Sequence, residues 1–200
     1  VTILDPTCGS GAFLFAALNI LEPLYETCIS RMEDFHRQNA NLFKDELAEI
    51  SQKYRSNIQY FIYKSIILRN LYGVDIMAEA VEIAKLRLFL KMVAVVDANR
   101  RAPNLGLDPL PDIDFNIRCG NTLVGYATED EIVQGSSADI FTQHEFREKV
   151  EIEMEKVARA YDTFRHIQLS QHEDIGTFKQ AKEELKQRLS AFTDQIGRAH

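Results

Sequence analysis

The placement of glycine restricts the fold of this chain more than any other feature. Asp5-Pro6-Thr7-Cys8-Gly9-Ser10-Gly11 follows the apolar run Val1-Thr2-Ile3-Leu4 and precedes Ala12-Phe13-Leu14-Phe15-Ala16-Ala17-Leu18. A short apolar run, a Gly/Pro break and then strong helix formers make a strand–loop–helix unit. Val1–Leu4 reads as a short buried strand and Ser10 as the helix N-cap. From Gly11 to Gly73 there is no glycine, and Pro23 is the only proline, so helices are expected to fill the interval. One runs to about Ile29. A polar one, around Met32–Gln52, lies over the surface, and an apolar one covers Ile58–Arg69.

A second strand is expected at Leu71-Tyr72-Gly73-Val74-Asp75, followed by a helix from Ile76 onward. Between Leu86 and Val96 only Arg87 and Lys91 interrupt the apolar residues, which predicts a helix buried on most sides. Pro103, Pro109 and Pro111 mark a loop over residues 99–113. A third strand, Asp114–Arg118, then runs into Cys119-Gly120-Asn121-Thr122-Leu123. Strand–helix–strand–helix–strand alternation predicts an α/β fold with a parallel sheet. Three strands are few for 200 residues. Together with the opening on Val1 in place of Met, this reads as a piece of a longer protein whose sheet is incomplete here.

After Gly125 the pattern changes. Phe146, Val150, Met154, Val157, Tyr161 and Phe164 recur at helical spacing, and Phe178, Leu185, Leu189, Phe192 and Ile196 form a second stripe beyond a turn near Ser170–Gly176. Two antiparallel helices packed along these stripes are expected.

Charge and cysteine usage narrow the class of protein. The net charge is −7, and residues 101–200 hold 12 Lys/Arg against 18 Asp/Glu. A face that grips phosphates is normally basic, which argues against a DNA-gripping surface on this chain. Cys8, Cys28 and Cys119 are odd in number and widely spaced, which fits a reducing, cytoplasmic setting. No uninterrupted apolar run approaches the roughly 20 residues of a membrane span, so no membrane partner is expected. His36, His144, His166, His172 and His200 are scattered, without zinc-site spacing, and no metal site is expected.

Three strand ends carry candidate chemistry. In Asp5–Gly11 the glycines let the backbone approach a ligand and expose helix N-terminal N–H groups. The Walker pattern fails because Ala12-Phe13 stands where Lys-Ser/Thr is required, and G-x-G-x-x-G fails at Leu14. Asp5 disfavours a pyrophosphate: like charges about 4 Å apart repel by ~4 kcal/mol at an effective dielectric of 20. It favours a ligand bearing an ammonium and a sulfonium, as S-adenosylmethionine (SAM) does. The plainer alternative is a structural turn capped by Asp5 and Ser10. Asp75, at the end of the second strand, is placed to accept ribose hydroxyls, with Ile76 against an adenine face; the alternative is a helix cap. Asn121 offers a donor and an acceptor to an adenine edge, or serves only as a turn residue.

Taken together, Asp5-Pro-Thr-Cys-Gly-Ser-Gly-Ala-Phe, Gly73-Val-Asp-Ile and Cys119-Gly-Asn-Thr-Leu resemble motifs I, II and III of bacterial DNA N6-adenine methyltransferases. The likeness is to the large, helix-rich type II restriction–modification methylases and related phage-defence methylases, and it covers about residues 1–126. It implies a partial Rossmann-like SAM-methyltransferase parallel sheet with large helical insertions. Residues 1–126 form the SAM-binding half, with a helical insertion at 30–69, and residues 127–200 an inserted helical hairpin. By the same resemblance, the Asp5 carboxylate and the backbone around Cys8, Gly9 and Gly11 hold the methionine end of SAM, and Pro6 and Thr7 belong to the same cofactor-binding set. Asp75 takes the ribose, Ile76 the adenine face and Asn121 the adenine edge, with Thr122 also in the cofactor-binding set. Many family members carry Asp where this chain has Asn121.

The family's catalytic tetrapeptide, Asn-Pro-Pro-Tyr or Phe, accepts hydrogen bonds from a flipped adenine and stacks on it. No Pro-Pro pair occurs in the chain, whose prolines are at 6, 23, 103, 109 and 111. No catalytic residue is therefore assigned here, and the chain by itself is expected to transfer no methyl group. The expected partners are DNA, reached through the parent protein, the remainder of the methyltransferase and a target-recognition domain. Two alternatives stay open: a SAM methyltransferase acting on RNA or protein, and a helical assembly module whose hairpin binds another region.

Overall fold

The computed structural model describes residues 1–54, 57–98, 101, 109–124, 128, 131–132, 140–169 and 175–197. The chain forms two compact units, Val1–Leu123 and Val124–His200.

The first unit is built on three parallel strands in the order β1 (Ile3–Asp5), β2 (Leu71–Asp75) and β3 (Ile117–Cys119). Asp5 lies opposite Gly73, and Asp75 opposite Cys119, so all three strands end at one edge of the sheet. Four described helices accompany them: α1 (Ala12–Gln38), α2 (Lys44–Lys53), α3 (Ile58–Arg69) and α4 (Ala78–Val93). The architecture is α/β, as the strand–helix alternation predicts.

Strand alternation divides the sheet into two faces. Leu71 and Ile117 are fully buried on one, and Gly73 on that face meets Leu14 of α1. Leu4, Tyr72, Val74 and Arg118 share the other face, where Leu4 is 60% exposed. The expectation of a buried first strand is therefore corrected: the helices that shield this unit pack against the Leu71 face and leave Leu4 uncovered. Asn116, just before β3, is buried, and its side-chain amide donates to the carbonyls of Ile67 and Leu71 (3.1 Å each), tying α3 and β2 to the third strand.

α3 is apolar almost all round and buried over nearly its full length, and its ends match those read from the sequence. α1 is longer than expected. It runs through Pro23 to Gln38, and the break falls at Asn39, whose backbone N–H donates to the Phe35 carbonyl. The polar helix is correspondingly shorter, starting at Lys44. By length and composition α1 also passes for a membrane-crossing helix, but in this fold its Leu14, Leu18 and Leu21 row is buried in the sheet unit.

α4 corrects a further expectation. Its Val81, Ala84, Leu88 and Met92 row is buried, whereas Leu86, Leu90 and Val93 are each at least half exposed. Apolar content alone does not bury a helix on most sides; only the row facing α3 and the sheet is covered. Lys85, on the flank of α4, lies 2.9 Å from both Glu82 and Asp114. Burial works against its ammonium, but the two carboxylates outweigh it and raise its pKa.

The second unit contains α5 (Ile140–Leu169) and α6 (Ile175–Gly197). Val150, Phe164 and Leu185 are buried, with the Phe164 and Phe178 rings 5.4 Å apart. The end of α5 therefore meets the start of α6, as an antiparallel hairpin requires. The inter-helix turn at 170–174, Gly125 and Pro103 lie outside the described residues.

Candidate functional site at the strand ends

The loop after β1 is shaped by two residues in the left-handed region, Gly9 at φ +51° and Gly11 at φ +81°. Any Cβ at Gly11 would stand 3.0 Å from the Ala84 Cβ, so α4 approaches the loop as closely as backbone allows. A Cβ at Gly9 would meet nothing within 4 Å, so this peptide faces open space. Gly11 itself is the N-cap of α1 and no side chain caps the helix, which corrects the reading of Ser10 as the cap.

The loop is held both by its own bonds and by neighbouring elements. The Cys8 N–H donates to the Val74 carbonyl (2.9 Å), and the Gly11 N–H to the Cys8 carbonyl (2.8 Å). The Gly9 N–H donates to Asp75 Oδ2 at 2.8 Å, across 66 residues of sequence. Asp75 Oδ1 accepts the Met77 N–H at 2.9 Å. These two amide donors, Met77 first and then Gly9, hold the Asp75 carboxyl below its usual pKa. Asp75 is thus a bracket between the first two strand ends. It closes a turn onto Met77, which is the N-cap of α4.

Asp5 Oδ1 accepts the Thr7 N–H at 3.1 Å, whereas its Oδ2 is buried with no partner. A buried carboxylate oxygen lacking a donor is costly unless something supplies one. Cys8 is only 5% exposed, and its thiol packs beneath the loop, 3.0 Å from where a Cβ on Gly73 would sit. Burial, and then the negative charges of Asp5 and Asp75, push the Cys8 pKa up, so it stays a neutral thiol.

The third strand end reaches the same place. The Gly120 N–H donates to the Asp75 carbonyl (2.9 Å), and Thr122 Oγ1 to the Pro6 carbonyl (3.0 Å) across 116 residues. Ile76 is 67% exposed beside this junction. Asn121 Oδ1 accepts the Leu123 N–H (3.0 Å) in its own turn, so the side-chain oxygen is already committed and the NH2 group remains as a donor. Asp5, Pro6, Thr7, Cys8, Gly9, Gly11, Asp75, Ile76, Asn121 and Thr122 therefore gather at one edge of the sheet.

Sequence reasoning missed one participant. Arg87, on α4, donates through its guanidinium to the Ser10 carbonyl at 2.9 Å and lies 5.3 Å from the centre of the Phe15 ring. The available signal was position: Arg87 follows Ala84 by three residues and so shares the helix row that meets the loop. An open cleft bordered by His36, Lys44, Leu47 and Tyr54 lies along α1 and α2. It includes none of the strand-end residues and is a separate feature. Among the described residues no group of His, Cys, Asp and Glu has metal-binding geometry.

Comparison with known proteins identifies the family. Residues 1–125 match the family described as MmeI, DNA-methyltransferase domain, and residues 69–196 match the Eco57I restriction-modification methylase family. A Methanocaldococcus jannaschii protein named as a type II restriction enzyme and methyltransferase is 39% identical over 130 residues, which are 65% of this chain and 9% of that protein. The type II restriction enzyme and methyltransferase Eco57I of Escherichia coli is 27% identical over 144 residues, 71% of this chain and 12% of that protein. The chain thus spans about a tenth of the length of these relatives. No solved structure matches it significantly. The chain belongs to the large type II restriction–modification methylases.

Proposed function

We propose that the chain is the cofactor-binding part of a SAM-dependent DNA adenine-N6 methyltransferase within a restriction–modification protein, acting in the cytoplasm. In this reading residues 1–126 are the SAM-binding half of a Rossmann-like domain and residues 127–200 an inserted hairpin. The observation that carries it is the Asp75 carboxylate bonded to the Gly9 N–H at the mouth of the glycine loop, with Thr122 closing the third strand end onto Pro6.

The residues present suit SAM. The partnerless Asp5 Oδ2 is an acceptor for an ammonium, and the negative charges of Asp5 and Asp75 favour a cationic ligand over a phosphate. Gly9 leaves room for the methionine end beside Pro6–Cys8 and Gly11. Asp75 retains lone pairs for ribose hydroxyls, the exposed Ile76 side chain covers an adenine face, and the Asn121 amide donates to the adenine edge next to Thr122. When bound, SAM supplies the electrophilic methyl group; the chain's own work is to orient it. The acidic surface leaves DNA contact to other parts of the parent, among them a target-recognition domain.

Calorimetric titration of the chain with SAM tests the reading. Saturable binding is expected, with Asp75→Ala reducing affinity by about tenfold, since the variant removes a charged acceptor for the ligand and the bond that holds the Gly9 N–H. Equal binding by wild type and variant contradicts the ribose assignment. No methylation of an adenine-containing duplex is expected from this chain, which holds no Asn-Pro-Pro-Tyr/Phe; measurable methyl transfer overturns that part of the proposal.

A further inference from the structure

Besides its bonds to Val74, Asp75 and Thr122, the glycine loop is restrained by a side chain of α4. The Cys8–Gly9 peptide is fixed at both ends, its carbonyl by the Gly11 N–H and its N–H by Asp75. The Ser10–Gly11 peptide is also fixed at both ends: its N–H donates to the Cys8 carbonyl, and its carbonyl accepts from the Arg87 guanidinium at 2.9 Å. Remove Arg87 and this second peptide is held at one end only, between two glycines whose backbones have little intrinsic preference.

The guanidinium is itself held. It lies 5.3 Å from the Phe15 ring centre, and Lys91 lies 5.7 Å from the same ring, so α4 presents two cations to the first turn of α1. Ala84, one turn earlier on α4, stands against Gly11. The Ala84–Arg87–Lys91 row therefore forms one wall along the loop and the start of α1.

We infer that Arg87 is a positioning residue: it fixes the Ser10–Gly11 peptide, and with it the shape of the loop that receives the methionine end of the cofactor. This rests on the reading of the strand ends as a SAM site, and the residue acts through the loop without touching the ligand. A planar fork that donates along its edge while stacking its face suits both contacts at once; an ammonium supplies the charge without that geometry.

The test compares wild type with Arg87→Met, Arg87→Lys and Arg87→Ala by SAM titration, thermal melting and amide hydrogen exchange of the 9–12 segment. Met keeps an unbranched apolar side chain at this position, so it remains informative even where Ala unfolds the helix contact. For Arg87→Met the expected outcome is about tenfold weaker SAM binding, faster exchange at the Gly11 amide and nearly unchanged melting. Arg87→Lys is expected to recover part of the affinity, and free guanidinium added at millimolar concentration to recover part of it for Arg87→Met. Wild-type affinity and wild-type Gly11 exchange in Arg87→Met overturn the inference while leaving the SAM site standing. If wild type itself fails to bind SAM, the cofactor reading falls. The Arg87 inference is then decided by Gly11 exchange alone: acceleration sustains loop positioning and no change removes it.

Discussion

The two units of this molecule are held together in opposite ways. In the hairpin, the polar bonds at its surface are local: Arg159 with Glu155 and Lys156 with Glu153 sit one turn apart. Its apolar seam repeats every three or four residues. In the sheet unit the decisive bonds cross long stretches of chain, 66 residues from Gly9 to Asp75 and 116 from Thr122 to Pro6. The lesson is that local order suffices to build a helical pair, whereas a site assembled from three strand ends exists only when the whole sheet forms. The proposed cofactor site of this chain belongs to the second kind of structure.

The comparison can be broken most forcefully from the hairpin side. Phe164 is fully buried against Phe178. Phe164→Ala is expected to cost about 3–5 kcal/mol of that unit's stability. Calorimetric melting should show the hairpin transition lowered while SAM binding is retained; loss of binding would mean that the two units are not separable in function.

A smaller effect, in the other unit, sharpens the same contrast. A Cβ on Gly73 would stand 2.8 Å from Leu14 Cδ1 and 3.0 Å from Cys8 Sγ. Gly73→Ala is expected to cost about 1–3 kcal/mol through this overpacking. Because Cys8 must shift, it should weaken SAM binding more than its melting temperature alone accounts for. An unchanged affinity would show that the loop is not seated on β2 as described.

The smallest effect concerns pH. The Asp75 carboxyl is held below its usual pKa by the Met77 and Gly9 amides. Its contribution to loop order is therefore complete above the ordinary carboxylate value, near 4, and is lost as pH falls through the depressed folded value. Hydrogen exchange at the Gly9 amide, followed on acidification, should stay slow to below about pH 4 and then rise with the loop alone. In Asp75→Asn this acid step should vanish.

How much of this was legible beforehand divides along the same line. The ends of α3 and β2 could be read because both lie between clear breaks, at Asn57, Asn70 and the Asp75 strand end. The hairpin stripes could be read because helical periodicity is local. The burial of α4 and of β1 could not. Leu86, Leu90 and Leu4 are apolar, and only the fold reveals which helix row or sheet face has a neighbour. The candidate site was legible as residue types at strand ends, since glycine, Asp and Asn each have few uses there. What the sequence concealed was how they are joined: that Asp75 bonds the glycine loop, that Asn121 spends its oxygen on its own turn, and that Arg87 reaches the Ser10 carbonyl. Each is a long-range contact or a local bond with an equally good alternative.

The decisive measurement is a heteronuclear NMR titration of the isotopically labelled chain with SAM. The backbone amides of Thr7 to Gly11, Asp75, Ile76 and Asn121 are expected to shift together along one saturation curve, while those of α5 and α6 stay where they are. Shifts confined to a single strand end, or none in the glycine loop at saturating ligand, would contradict a shared cofactor site at the edge of this sheet.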